Sequence, residues 1–108
     1  MNYVYAVSVA DVQLGKMKAI VVEGKEILLV NAGGQFFAMQ RFCPHAGADL
    51  CAGKIADSKV LCPKHDAAFD LDTGEAVDKA KVLFLKFPTN RAETYRVKVE
   101  NDSVFIEV

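Results

Sequence analysis

Histidine is scarce in this chain: His45 and His65 are the two present among 108 residues. A Ser-His-Asp hydrolase, a three-histidine zinc enzyme or a 2-His-1-carboxylate oxygenase would have to claim one or both of them. Cysteine stops at three, Cys43, Cys51 and Cys62. Neither sign of charge is in excess, since thirteen basic against fourteen acidic side chains leave a net charge of -1. That excludes a nucleic-acid binder relying on a broad basic face. No apolar run approaches the ~20 residues of a membrane span. The first residues, Met1 to Tyr5, lack the basic start of a targeting signal, and Asp11 interrupts the apolar stretch early. These absences predict a cytoplasmic protein that engages neither membrane nor nucleic acid. In a reducing compartment its cysteines serve as ligands, catalysts or core fillers rather than as disulfides.

What is present is a chain 52% hydrophobic and 25% charged, which excludes disorder and low complexity and predicts one compact domain over residues 1–108. The patterning is all-β. Short alternating runs at Val4–Val9, Met17–Val22, Ile27–Val30, Gln35–Gln40, Val82–Phe87, Tyr95–Glu100 and Val104–Val108 read as strands. Glu23-Gly24-Lys25 and Asn101-Asp102 are hairpin-type turns between them, and Pro88 ends the strand before it. Helix signals are nearly absent: Ala10–Leu14 supports one turn, capped by Asp11 or Ser8.

The texture changes after Arg41. Residues 42–75 hold all three cysteines, both histidines, two of the three prolines and a dense set of turn formers, as expected of a functional insertion carried on a β scaffold. Six acids (Asp49, Asp57, Asp66, Asp70, Asp72, Glu75) face three lysines (Lys54, Lys59, Lys64) there, either as solvated loop surface or as an acidic collar turned toward a partner. Asp72-Thr73-Gly74 reads as a turn in which Gly74 takes positive φ.

Two motifs carry the chemistry, Cys43-Pro44-His45-Ala46-Gly47 and, with sixteen residues between it and His45, Cys62-Pro63-Lys64-His65. Taken singly, a cysteine is usually a small buried hydrophobe and a histidine an ordinary packed or surface side chain. Two matched Cys/His pairs that consume both histidines point instead to a metal. Pro44 stiffens the first loop and Gly47 lets the backbone turn away. A Cys2His2 set suits tetrahedral zinc, but zinc fingers pair like with like and place their histidines on a helix, for which no signal exists here. The alternative is a 2Fe-2S cluster with two cysteines on one iron and two histidines on the other.

The segments CPHAGADL and LCPKHDAAFDLDTGE resemble the cluster-binding region of Rieske-type ferredoxins, and the strand pattern extends the likeness over nearly all of the chain. The resemblance implies one 2Fe-2S cluster, with Cys43 and Cys62 on the inner iron and His45 and His65 on the outer iron near the surface. It implies an all-β fold of antiparallel sheets, with a cluster-binding subdomain of about residues 41–76 carrying two ligand loops. Respiratory and photosynthetic Rieske subunits add two cysteines, joined in a disulfide, at positions that fall on Ala48 and Lys64. They also place serine and tyrosine hydroxyls where this chain has Ala67 and Phe69. Fewer hydrogen bonds to sulfur lower the potential, so a value near the lower edge of the roughly -150 to +300 mV Rieske span is expected. Leu50 and Phe69 are expected to shield the cluster, Cys51 to be a reduced, partly buried thiol, and a covering loop to lie around Asp78–Lys81.

With both histidines spent on the cluster, none remains for a mononuclear iron site of a terminal oxygenase. The chain is therefore expected to relay single electrons rather than to be an enzyme. The resemblance implies a flavin-dependent reductase as donor and a terminal oxygenase or other oxidoreductase as acceptor, with the carrier monomeric when free. A Rieske small subunit of a larger oxidoreductase, similar to those of nitrite reductases, and a zinc-stabilised binding module are the other readings.

Overall fold

A computed structural model describes residues 2–44, 47–63, 68–75 and 91–108. Those residues form ten strands and two short 3-10 turns. The all-β expectation holds among them. Strands β1 (Tyr3–Ser8), β2 (Met17–Val22), β3 (Lys25–Ala32) and β4 (Gln35–Gln40) come first, followed by β5 (Lys54–Ala56), β6 (Lys59–Leu61) and β7 (Ala68–Asp70). Strands β8 (Thr94–Tyr95), β9 (Val97–Glu100) and β10 (Ser103–Glu107) complete the chain. They assemble as three sheets with the orders β1-β10-β9, β2-β3-β4-β8 and β5-β6-β7, and every strand pairing is antiparallel.

Four hairpins close on two-residue turns in which both residues take positive φ: Glu23-Gly24, Gly33-Gly34, Asp57-Ser58 and Asn101-Asp102. Turns of that handedness match the right-handed twist of the strands they join. The single turn expected near Ala10–Leu14 falls at Val9–Asp11, where the Asp11 carboxylate accepts a hydrogen bond of 3.1 Å from the Ser8 N–H.

Two sequence expectations change. Tyr95–Glu100 is not one strand. It breaks at Arg96, so that Thr94–Tyr95 pairs with β4 while Val97–Glu100 pairs with β10, and the chain turns a corner between two sheets. The turn-rich stretch after Arg41 contains a sheet of its own, β5-β6-β7. The strand expected at Val82–Phe87, Pro88 after it and the covering loop around Asp78–Lys81 lie outside the described residues.

The middle sheet separates two apolar clusters. Ile27 and Leu29 of β3 join Val7, Phe36, Val104 and Ile106 on one side. Leu28 and Val30 join Met39, Leu50, Val60 and Phe69 on the other. Strand β3 is thus buried on both faces, which its near-continuous apolar run Ile27–Val30 requires.

Candidate metal centre

Cys43 and Cys62 are each only 3% exposed, and both belong to the cluster that holds Leu50, Val60 and Phe69. Each stands at the start of a loop whose ends are paired. Phe42 bridges Asp49, enclosing six residues that begin with Cys43. Leu61 pairs with Ala68, enclosing six residues that begin with Cys62. The two loops are therefore matched in length as well as in leading residue, a symmetry that the sequence spacing alone does not display.

The first loop is held by its own backbone. The Cys43 N–H donates to the Ala48 carbonyl at 2.7 Å, and the Gly47 N–H donates to the Cys43 carbonyl at 2.8 Å. Gly47 has φ +71, a left-handed conformation that lets the backbone turn away there. The second loop leaves strand β6, whose central residue Val60 is fully buried, and returns through Ala68 and Phe69, also buried. His45 and His65 lie within these loops by position, two residues after Cys43 and three after Cys62, and both are outside the described residues. Among the described residues no group of three or more His, Cys, Asp or Glu side chains converges on a metal position. The structure thus brings the two expected sulfur ligands into one buried cluster and leaves the two imidazoles undescribed.

The donor set fits a 2Fe-2S cluster. Two buried thiols among leucine, valine and phenylalanine side chains sit where water is excluded, as a sulfur-ligated iron requires. Leu50 and Phe69, expected as shields, are both fully buried beside the cysteines. Cys51 is partly buried, as expected, and packs against the same cluster. Gly74 takes φ +79, also as expected.

Sequence reading missed what anchors the first loop. The Arg41 guanidinium makes a two-pronged contact with Asp49, Nε to Oδ1 at 3.1 Å and Nη2 to Oδ2 at 2.8 Å. Its third arm, Nη1, reaches Glu26 Oε1 at 2.9 Å. Asp49 Oδ1 also accepts from the Cys51 N–H at 3.0 Å, capping the 3-10 turn Leu50–Ala52. The hydrogen bonds from Arg41 hold the Asp49 carboxyl below its usual range, with partial burial acting in the opposite sense. In the sequence Asp49 is one of six loop acids, read either as solvated surface or as part of a partner-facing collar. Its partner lies across the loop, where charge counting does not reach.

With this geometry in place, comparison with known proteins is decisive. The model of the Rieske 2Fe-2S domain matches residues 2–84. The chain belongs to the Rieske 2Fe-2S domain family. The ferredoxin component of the naphthalene 1,2-dioxygenase system of Pseudomonas putida is 32% identical over 108 residues, covering all of this chain and 97% of that protein. The 3-phenylpropionate/cinnamic acid dioxygenase ferredoxin subunit of Shigella flexneri is 37% identical, covering all of this chain and 95% of that protein. The solved ferredoxin of Sphingomonas yanoikuyae B1 superposes with a TM-score of 0.82 at 28% identity, over 99% of each chain. These findings bear out the Rieske-type resemblance and the all-β fold.

Proposed function

We propose that this Rieske domain is a one-electron carrier, not itself an enzyme, that takes electrons from a flavin-dependent reductase and passes them to a terminal oxygenase. The observation that carries this reading is the pair of six-residue loops, each opening on a buried cysteine. Similarity over the whole chain to ferredoxin components of dioxygenase systems supports it.

When bound, the 2Fe-2S cluster supplies a one-electron couple. The chain's own residues do the rest. Cys43 and Cys62 would hold the inner iron through their sulfurs, and His45 and His65 would hold the outer one. Leu50, Val60 and Phe69 keep water from the sulfur ligands. Phe42, 41% exposed and immediately before Cys43, offers an apolar contact beside the site for a docking partner. Residues of about 41–76 act as the cluster-binding subdomain, and the remainder of 1–108 is the base that carries it.

No helix among the described residues is long and apolar enough to cross a membrane. We place the carrier in the cytoplasm, as a monomer that meets its partners transiently. Analysis for iron, acid-labile sulfide and zinc, with electron paramagnetic resonance of the dithionite-reduced protein, tests the reading. Iron and sulfide in equal amounts and a reduced-state signal are expected. Zinc without sulfide would return the chain to the class of metal-stabilised binding modules. Isolation only as a tight complex with a larger oxidoreductase would make it a subunit rather than a free carrier.

A further inference from the structure

The loop that begins with Cys43 is narrow at its neck and tied there in three ways. The backbone closes it, with the Leu50 N–H donating to the Arg41 carbonyl at 2.8 Å and the Cys43 N–H to the Ala48 carbonyl at 2.7 Å. The Arg41 side chain spans the same neck to Asp49 through two parallel hydrogen bonds. Arg41 is itself tied to strand β3, by its N–H to the Glu26 carbonyl at 3.3 Å and by its guanidinium to the Glu26 carboxylate at 2.9 Å. Glu26 stands at the exposed start of β3, directly before its buried run Ile27–Asn31, so the loop is referenced to a strand anchored in the core. The guanidinium also lies over the Phe42 ring, 5.0 Å from its centre.

An isolated exposed ion pair contributes little, because water screens it and two long side chains lose freedom to form it. This pair differs on both counts. The arginine is planar and meets the carboxylate with both prongs, so little further order is lost per bond, and both side chains are roughly two-thirds covered. The contrast with Arg96 and Glu107 is plain: there a single contact of 3.9 Å joins an arginine that is 83% exposed.

The geometry points to Arg41 and Asp49 as positioning residues for the metal centre, a clamp that fixes the loop bearing Cys43 and His45 at its neck. This inference rests on the proposed cluster-carrying function. The clamp sets the direction in which Cys43 leaves the bridge at Phe42, and through the Asp49 contact with the Cys51 N–H it sets the turn that brings Leu50 over the site. Loosening it frees the loop to release iron while the sheets stay intact.

The test is a double-mutant cycle on the cluster-loaded protein: Arg41→Lys, Asp49→Asn and the two combined. Arg41→Lys keeps the charge but cannot make the two-pronged contact. Two readouts are the rate of loss of the visible absorbance in excess EDTA and the paramagnetic resonance line shape after reduction. Each single variant is expected to lose the cluster about ten- to a hundredfold faster, the scale seen when supporting contacts around a metal are removed. Each is also expected to broaden the spectrum. The combined variant is expected to exceed the worse single by less than about threefold, because residues acting as one unit are not additive. Leu29→Ala, which weakens the opposite core, separates positioning from general stability. At a comparable fall in unfolding midpoint it should leave line shape and cluster loss near those of the wild type. Equal acceleration by Leu29→Ala, full additivity, or variants that match the wild type would each overturn the clamp. A wild type without iron and sulfide would overturn the carrier reading and the clamp with it, whereas a loaded wild type with unaltered variants overturns the clamp alone.

Discussion

Gly53 follows the capped turn Leu50–Ala52, and a Cβ built on it would run into the Leu61 carbonyl oxygen and lie 3.2 Å from the Leu50 carbonyl oxygen. Both neighbours are backbone, so neither can swing aside, and Leu61 immediately precedes Cys62. Gly53→Ala is therefore expected to destabilise the fold by about 2 kcal/mol or more, the scale of forced overpacking, and to lower cluster occupancy. Gly34→Ala is the contrast. Its φ of +91 strains an alanine, but nothing lies within 4 Å of the added methyl, so a loss of about 1 kcal/mol with full cluster occupancy is expected. Urea unfolding and the ratio of visible to ultraviolet absorbance check both; a Gly53→Ala protein as loaded and as stable as Gly34→Ala would refute the close-approach argument. Asp49 gives a pH signature. Its carboxyl is held below the usual range by hydrogen bonds from Arg41, so the stability it contributes is fully present above the unfolded carboxylate value of about 3.9 and is lost as pH falls through its lower folded value. Asp49→Asn should therefore be less stable than the wild type at neutral pH, with the gap closing below about pH 4. A gap that is constant from pH 7 to 3 in urea midpoints would show that the ion pair does not carry it.

At the scale of elements, β7 brings Phe69 fully buried into the cluster of side chains that contains Cys43 and Cys62. A phenylalanine there packs but donates no hydrogen bond, which agrees with a low potential. Ala67→Ser combined with Phe69→Tyr is expected to move the potential upward from the lower edge of the roughly -150 to +300 mV Rieske span, because hydroxyl donors to sulfur stabilise the reduced state. Protein-film voltammetry reads this directly, and a potential that does not move would discard the explanation. The sheet that carries Phe69 was the least legible element in the sequence. Strands of three residues offer too few positions for alternation to register, and the turn between β5 and β6 is Asp57-Ser58, without the glycine or asparagine that marks the Glu23-Gly24 and Asn101-Asp102 turns. Those two turns, and the longer runs on either side of them, were readable because local chemistry decides them. The corner at Arg96 was not, since the pairing of Thr94–Tyr95 with one sheet and Val97–Glu100 with another depends on partners more than fifty residues away in one case. The same holds for the site. The two Cys/His pairs are local enough to be read as a candidate metal site, whereas the partnership of Arg41 with Asp49 follows only once the loop between them has closed.

For the whole molecule, β3 is the shared wall between a scaffold core and a site core. Leu28 and Leu29 are adjacent, chemically identical and both completely buried, yet the alternation of a strand sends one to each side. Truncating either removes the same atoms and leaves a cavity of similar kind, so Leu28→Ala and Leu29→Ala should each lose about 2–5 kcal/mol of stability. Their effects on function should diverge. Leu28 packs in the cluster with Cys43, Leu50, Cys62 and Phe69, so its loss should speed release of iron and disturb the reduced-state spectrum. Leu29 packs with Val7, Phe36, Val104 and Ile106, beneath the outer sheet, and its loss should leave the spectrum unchanged at temperatures where the protein remains folded. Unfolding midpoints measured beside paramagnetic resonance spectra decide the matter. If both variants perturb the metal centre equally, the middle sheet transmits disorder from one core to the other and the two cannot be treated as separate layers. If only Leu28→Ala does so, the sheet works as a rigid partition, and the base can vary in stability without detuning the carrier.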